Sequence, residues 1–236
     1  MRNHAYETEQ IIEKTKEADV MIIEAISHRF IPNALEVKKR ISDLENIKIV
    51  SFNYSQYSSR YDKFMAGKIE PVFSLEASGG ALIDLNLYNV AFAVDTFGLP
   101  KDVKYFANID KDIDTSGIVI LDYEDFKISC IGSKDSAAPM INTIQGTKAT
   151  IEIPDALNSF GKFNMDVVGL DKKDSFQFNE EGRSRLYYEF VAIEEILRNR
   201  DKKRADELLE LTRNYMDVIT KARFDANIFY PADKMR

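Results

Sequence analysis

A single cysteine, Cys130, leaves this 236-residue chain without any possible internal disulfide, which fits a reducing cytoplasm. Long apolar runs are missing too. No stretch reaches eighteen apolar residues, and the longest are short and broken, as in Val20-Met21-Ile22-Ile23. A membrane-crossing helix is thereby excluded. The start, Met1 to Glu7, has no apolar core of the kind a signal peptide needs. Positive charge is scarce as well: net charge is −7 and the sequence pI is about 5.1. No dense Lys/Arg patch with interleaved aromatics occurs, which argues against nucleic acid as a partner. The run Arg198-Asn199-Arg200-Asp201-Lys202-Lys203-Arg204 reads as a solvated junction between two helices. Glycines number only ten, and no Gly-x-Gly-x-x-Gly dinucleotide fingerprint is present. With two histidines, His4 and His28, the chain offers no set of partners for a metal ion. His4 is terminal and carries no signal.

What is present makes a core: 44% of residues are hydrophobic and 30% charged. Residues 5–18 form an amphipathic pattern rich in Glu and Lys, with Ile11 and Ile12 on one side. Val20 to Ala25 is an apolar run ending in an acidic residue, Glu24, the pattern of a strand buried on both faces in a parallel sheet. Pro32 sits where a helix begins, and Ala34 to Ile41 continues at helical spacing. Together these read as the helix–strand–helix edge of a doubly wound α/β domain, too small to be one alone. From Ile47 the pattern changes. Strands are predicted over residues 47–57, 103–109, 116–123, 126–132, 141–145, 149–153, 163–168 and 175–178, from β-branched and aromatic content. Short links, Tyr123-Glu124-Asp125-Phe126 and Gly146-Thr147-Lys148, imply a mostly antiparallel sheet. Helices are predicted over 81–97, stopped by Gly98-Leu99-Pro100, and over about 184–199 and 202–225. The expected fold class is α+β: an open, mostly antiparallel sheet with helices on one face, preceded by a remnant of a Rossmann α/β domain.

The sharpest local feature is Ser78-Gly79-Gly80-Ala81-Leu82-Ile83-Asp84-Leu85-Asn86-Leu87-Tyr88. Paired glycines let backbone approach a ligand or a helix closely. Asp84 and Tyr88 are four apart and share one helical face. A tyrosine hydroxyl beside a carboxylate can pass a proton to or from a substrate oxygen. Equally, an Asp near a helix start satisfies the dipole, and Tyr88 can be a core aromatic. Cys130, beside Ile128 and Ile131 in a strand pattern, reads as a buried, inert thiol.

The segment Gly79-Gly80-Ala81-Leu82-Ile83-Asp84-Leu85-x-x-Tyr88 resembles the signature of the glucose–fructose oxidoreductase / inositol dehydrogenase / MocA (Gfo/Idh/MocA) family. Other stretches fall in family order: Glu24-Ala25-x-x-His28-Arg29-Phe30-x-Pro32, Tyr57 to Asp62, Asp114 to Gly117, and Tyr230-Pro231-Ala232-Asp233. The resemblance implies that Gly79 and Gly80 border the nicotinamide and that Asp84 and Tyr88 are catalytic. It also implies that Glu24, His28, Arg29, Tyr57 and Arg60 line the substrate pocket, although a surface salt bridge is an equally good reading of either arginine. Two departures stand out. Tyr88 occupies the place of the family's catalytic histidine, as in members resembling dimeric dihydrodiol dehydrogenase. The Glu-Lys-Pro motif, whose lysine would assist a tyrosine of ordinary pKa near 10, is absent.

On this reading residues 1–45 are the edge of a dinucleotide-binding domain, and residues 46–236 form a substrate-binding and oligomerisation domain. The cofactor of the intact protein is NAD or NADP, the substrate a small sugar, cyclitol or dihydrodiol-like alcohol or carbonyl. The chain alone is expected to bind no cofactor and to be inactive. A homodimer through the sheet face is expected, with Ile118, Ile120, Ile128 and Ile131 facing either that partner or the helices. The alternative from another class is a non-enzymatic binding or assembly module built on the same sheet.

Overall fold

The computed structural model describes residues 5–170, 173–231 and 233; His4 and Ala232 lie outside them. An eight-stranded open sheet dominates, in the order β2-β3-β4-β1-β5-β6-β7-β8. Its strands are β1 (Ile47–Ser55), β2 (Asp102–Asp110), β3 (Ile113–Asp122), β4 (Lys127–Ser133), β5 (Asn142–Gly146), β6 (Ala149–Ile153), β7 (Phe163–Val167) and β8 (Lys173–Phe176). Six of the seven pairings are antiparallel, five of them between strands consecutive in the chain, and β1 with β4 is parallel. That one exception follows from chain order, because a helix and the β2–β3 hairpin intervene before β4 returns alongside β1.

The helices are α1 (Ala5–Ala18), α2 (Pro32–Arg40), α3 (Tyr61–Met65), α4 (Leu87–Phe97), α5 (Arg185–Asn199) and α6 (Lys202–Asp225). Alternation along each strand decides which face they cover. Val50 and Phe52 of β1, Val119 and Leu121 of β3, and Ile128 and Cys130 of β4 are fully buried against the helix layer. There they meet Phe92 of α4 and Ile219 of α6 in one core. Ile128 therefore faces the helices, while Ile118, Ile120 and Ile131 point to the open side. On that side Phe106, Ile118 and Ile131 are direct cross-strand neighbours, with Phe106 67% exposed. Farther along, the open face is polar: Ser51, Thr143, Glu152 and Asn164 stand in one cross-strand row.

One expectation fails in the first thirty residues. Val20 to Ala25 is not a strand, and Val20 is 48% exposed. A strand needs a neighbour to take its backbone groups, and none of the described strands lies beside it. The segment instead runs along α6, where Glu24 accepts hydrogen bonds from Thr212 (2.7 Å) and from Tyr215 (2.6 Å to one oxygen). The helix start at Pro32 forms as expected, and Ile31, Ala34, Val37 and Leu44 join the main core.

Just before α2, a short 3-10 turn, Ser27–Arg29, carries two ionisable side chains inward, His28 and Arg29. His28 Nε2 lies 2.9 Å from Asp95, and Arg29 Nε donates to the same carboxylate at 2.7 Å, all fully buried. Burial pushes the His28 imidazole down to about 4, overriding the Asp95 hydrogen bond that favours its charge. Burial would raise Asp95, but the His28 hydrogen bond and the charges beside it hold it well below the usual carboxylate range. Arg29 supplies that charge once His28 is neutral. A histidine that stays neutral when folded but protonates when unfolded withdraws stability as pH falls. The loss begins near the unfolded value of about 6.5 and is complete near 4, and amounts to roughly 3 kcal/mol. Urea unfolding of His28→Gln should show a correspondingly shallower decline over that window than the parent chain.

Candidate functional site

The site is built where the loop after β1 meets the start of α4. Gly79 and Gly80 turn the chain, and a π-helical turn, Leu82–Asn86, precedes α4. Sequence periodicity predicted a regular helix from residue 81; the wider turn is invisible to it, since one π turn shifts the phase without changing the residue types. The glycines are explained by close approach within the chain. Gly80 has φ +114°, and a Cβ there would lie 2.0 Å from Asp114 Oδ1. A Cβ on Gly79 would lie 2.6 Å from the Pro71 carbonyl oxygen.

Asp114 sits beneath this turn, fully buried. One of its oxygens accepts from the Leu82 amide (2.7 Å) and from the Tyr105 hydroxyl (2.8 Å). Burial pushes its carboxyl up to about 6 against those hydrogen bonds. From the other side the Tyr230 hydroxyl donates to the Gly79 carbonyl at 2.9 Å. Tyr230 is itself packed under the Arg223 guanidinium, 4.2 Å from the ring centroid, and Arg223 pairs with Asp233 at 2.5 Å. Two of the motifs singled out in the sequence, at 114–117 and 230–233, thus converge on a third, at 79–88.

The two proton-handling candidates stand on this scaffold in different surroundings. Asp84 is 41% exposed in its side chain and pairs at 2.8 Å with Lys134, which is 1% exposed. It also borders a groove of about 160 Å³ that includes Val72, Ser78, Gly79 and Ile83. Tyr88 is half-buried, its ring 6.1 Å from that of Tyr54. Burial raises the Tyr88 phenol above its ordinary value; Tyr54 and Asp84 add to this, while Arg185 and a hydrogen bond with Asn158 oppose it. Asn158 is buried, and its amide also donates to the Tyr54 hydroxyl at 3.3 Å. Its backbone carbonyl accepts from Ser27 (2.7 Å) and from Arg185 (3.2 Å). Tyr88 is therefore a neutral phenol at neutral pH.

Other sequence candidates lie elsewhere. His28 and Arg29 are interior, 0% and 3% exposed, occupied with Asp95 instead of lining an open pocket. Glu24 joins Arg29 through Thr212, whose hydroxyl also accepts from the Arg29 guanidinium at 3.0 Å. Tyr57 and Arg60 lie on the loop that leads into α3. Tyr57 donates to Asp62 at 2.5 Å and Arg60 pairs with Glu70 at 2.9 Å, half exposed. Arg60 is close enough to help lower the Lys134 ammonium. Lys134, Asn158, Tyr54 and Arg185 were not singled out in the sequence. No local pattern marks them: each lies at least 30 residues from Tyr88 along the chain and reaches the site through the tertiary fold. Burial pushes the Cys130 thiol up, as an inert core residue requires. Among the described residues no three His, Cys, Asp or Glu side chains converge as metal ligands, and no helix is long and apolar enough to cross a membrane.

No protein-family profile matches the chain. It is 31% identical over 234 residues to scyllo-inositol 2-dehydrogenase (NADP(+)) of Bacillus subtilis, covering 97% of this chain and 69% of that protein. It is 25% identical over 154 residues to trans-1,2-dihydrobenzene-1,2-diol dehydrogenase of Danio rerio, covering 63% of this chain and 44% of the relative. Among solved structures, a mutant of a 3-ketoreductase from Actinomadura kijaniata, in complex with TDP-benzene and NADP, superimposes with a TM-score of 0.75 at 11% identity. That match covers 94% of this chain and 67% of the other. The fold is shared with that enzyme, and the similarity to the Bacillus dehydrogenase is close and extensive enough to settle kinship: the chain belongs to the Gfo/Idh/MocA-like oxidoreductases.

Proposed function

We propose that this chain is the substrate-binding and dimer-forming portion of an NAD(P)-dependent oxidoreductase that interconverts a secondary alcohol and a carbonyl on a cyclitol, sugar or dihydrodiol-like ring. The observation that carries this is the pairing of a raised, neutral Tyr88 with a fixed carboxylate, Asp84, one helical turn away on a rigid scaffold. In the reducing direction Tyr88 gives its proton to the oxygen of the forming alcohol. The tyrosinate left behind is stabilised by the Asn158 amide and the Arg185 guanidinium. Asp84 accepts a hydrogen bond from a neighbouring substrate hydroxyl and so orients the ring. Tyr57 and Arg60, on the loop beside the Asp84–Lys134 pair, bound the substrate on that side. In the oxidising direction Tyr88 must first lose its proton, so oxidation gains with rising pH.

The chemistry that NAD or NADP supplies when bound is acceptance or donation of hydride. The residues present fit its reactive end, where Gly79 and Asp84 border the groove and Tyr88 follows one turn on. They do not fit its pyrophosphate: the chain has no glycine-rich phosphate-binding turn. Residues 1–45 act as the edge of a nucleotide-binding half that these 236 residues do not contain, and residues 46–236 as the substrate domain. In support, the face of α1 carries an apolar groove of about 680 Å³ that includes Ile11, Ala18, Val20 and Ile22, a surface suited to a further layer. The open sheet face, with Phe106, Ile118 and Ile131 in a row, serves the homodimer.

Titrating the purified chain with NADH and NADPH, followed by nicotinamide fluorescence, tests the division of labour. No saturable binding is expected from either. Tight, saturable binding of one of them would overturn it and place the cofactor on a surface of this chain. A parallel titration with scyllo-inositol should move the NMR signals of Tyr54 and Tyr88. No movement with any cyclitol or sugar would favour the assembly-module reading instead.

A further inference from the structure

Lysine is almost never fully buried unless its charge is answered. Lys134, at the end of β4, is 1% exposed in its side chain, and its ammonium has three donor directions to satisfy. One goes to Asp84 Oδ2 at 2.8 Å and one to the Val72 carbonyl at 2.5 Å. The face of the Phe73 ring, 4.2 Å from Nζ to the centroid, closes the third side. Asp84 itself remains 41% exposed. One carboxylate oxygen is thus tied from behind, and the group's other side stays open toward the groove. Val72 is part of that groove, so the same ammonium fixes both the carboxylate and one of its walls.

From this geometry we infer that Lys134 is a positioning residue of the active site, which holds Asp84 as a fixed, charge-compensated hydrogen-bond acceptor facing the substrate. The inference rests on the proposed function and deepens it. It assigns Asp84 its cationic partner within this chain, so that no lysine from a nucleotide-binding half is needed to orient it. A carboxylate held in this way accepts a substrate hydroxyl and carries no proton through the cycle, which leaves proton transfer to Tyr88. Burial lowers the Lys134 ammonium, and Asp84 and Asp114 oppose that shift while Arg60 adds to it. A lysine held against such a desolvation cost by one surface carboxylate has a reason to be there beyond packing.

The test reads the charge of the pair at Tyr88, which needs neither cofactor nor substrate. The groups facing Tyr88 are Asp84 from the π turn, Tyr54 from β1, Asn158 from the loop after β6 and Arg185 from α5. Asp84 raises the Tyr88 phenol, and Lys134, through its 2.8 Å contact, fixes where that carboxylate sits. With 13C-labelled tyrosine, the fraction of Tyr88 present as tyrosinate at a fixed alkaline pH is followed by NMR. Lys134→Met should lower that fraction about three- to tenfold, the effect of a carboxylate freed from its tie and able to approach the phenol. Asp84→Asn should raise it, Lys134→Arg should stay near the parent, and the double variant should match Asp84→Asn alone. An equal response to Lys134→Met with and without Asp84, or no response in a folded variant, overturns the inference. Should Lys134→Met fail to fold, Asp84→Asn and Lys134→Arg decide: an unchanged tyrosinate fraction in Asp84→Asn, or a methionine-like collapse in Lys134→Arg, overturns it as well. Binding of scyllo-inositol is read separately on the same five proteins. If the parent binds none, the functional reading fails while the Tyr88 cycle still decides the role of Lys134.

Discussion

Replacing Arg223 with methionine is expected to cost about 3–5 kcal/mol of folding stability, the usual penalty for removing one partner of a buried ion pair. Arg223 has no exposed side-chain surface and pairs with Asp233, which is 7% exposed. Its guanidinium also donates to the Ile228 carbonyl at 2.8 Å and stacks over Tyr230. The methylene stem would be kept by methionine, so the loss isolates charge and hydrogen bonding from packing. Urea unfolding measures it. Because Tyr230 donates to the Gly79 carbonyl, the same substitution should also loosen the turn that carries Asp84. Faster amide exchange at Leu82 than at strand β3 would show this. A loss below about 1 kcal/mol would mean that the C-terminal tail is not the anchor the geometry makes it.

Gly80→Ala is the second large effect, and it acts directly on the site. At φ +114° an L-residue is strained by about 1–3 kcal/mol before any contact is considered. The new methyl carbon would lie 2.0 Å from a fully buried carboxylate oxygen of Asp114. Asp114 cannot retreat without giving up the Leu82 amide and the Tyr105 hydroxyl that it accepts from. A total loss of about 3 kcal/mol or more is expected, read as a lower urea midpoint. Gly98→Ala is the matched control. Gly98 also has positive φ but nothing within 4 Å of a Cβ, so only the backbone strain applies. Equal losses at the two positions would show that the approach of Asp114 to the turn is not what requires glycine.

The two positions also show which kind of information sequence carries. Gly79-Gly80 reads as a place of close backbone approach, and it is one; what approaches, Asp114 at Gly80 and the Pro71–Val72 backbone at Gly79, is 34 and up to eight residues away and leaves no local mark. The motif at 114–117 was visible as a motif, without a reason. Its reason is a carboxylate under a turn, a relation between two segments. Tyr88 carried its identity in the sequence, whereas its raised pKa comes from burial in the finished fold, with Tyr54 adding to the shift and Arg185 and Asn158 opposing it. The π turn, the burial of His28 and Arg29, and the unpaired course of Val20 to Ala25 were likewise beyond periodicity, because each depends on what lies alongside.

Residue order by itself determined the strands and helices of the sheet domain, through two-residue alternation on a half-covered sheet and helical spacing closed by Gly98 and Pro100. It also carried the family resemblance in the segment 79–88, and the kinship with oxidoreductases agrees with it. Tertiary structure alone decided which sheet face is open, which lysine answers Asp84, and which buried groups keep or lose their charge. The physical reason is range. Backbone preference and side-chain period act over a few residues, whereas desolvation and ion pairing act through space between groups such as Lys134 and Asp84, whose meeting only the completed fold arranges.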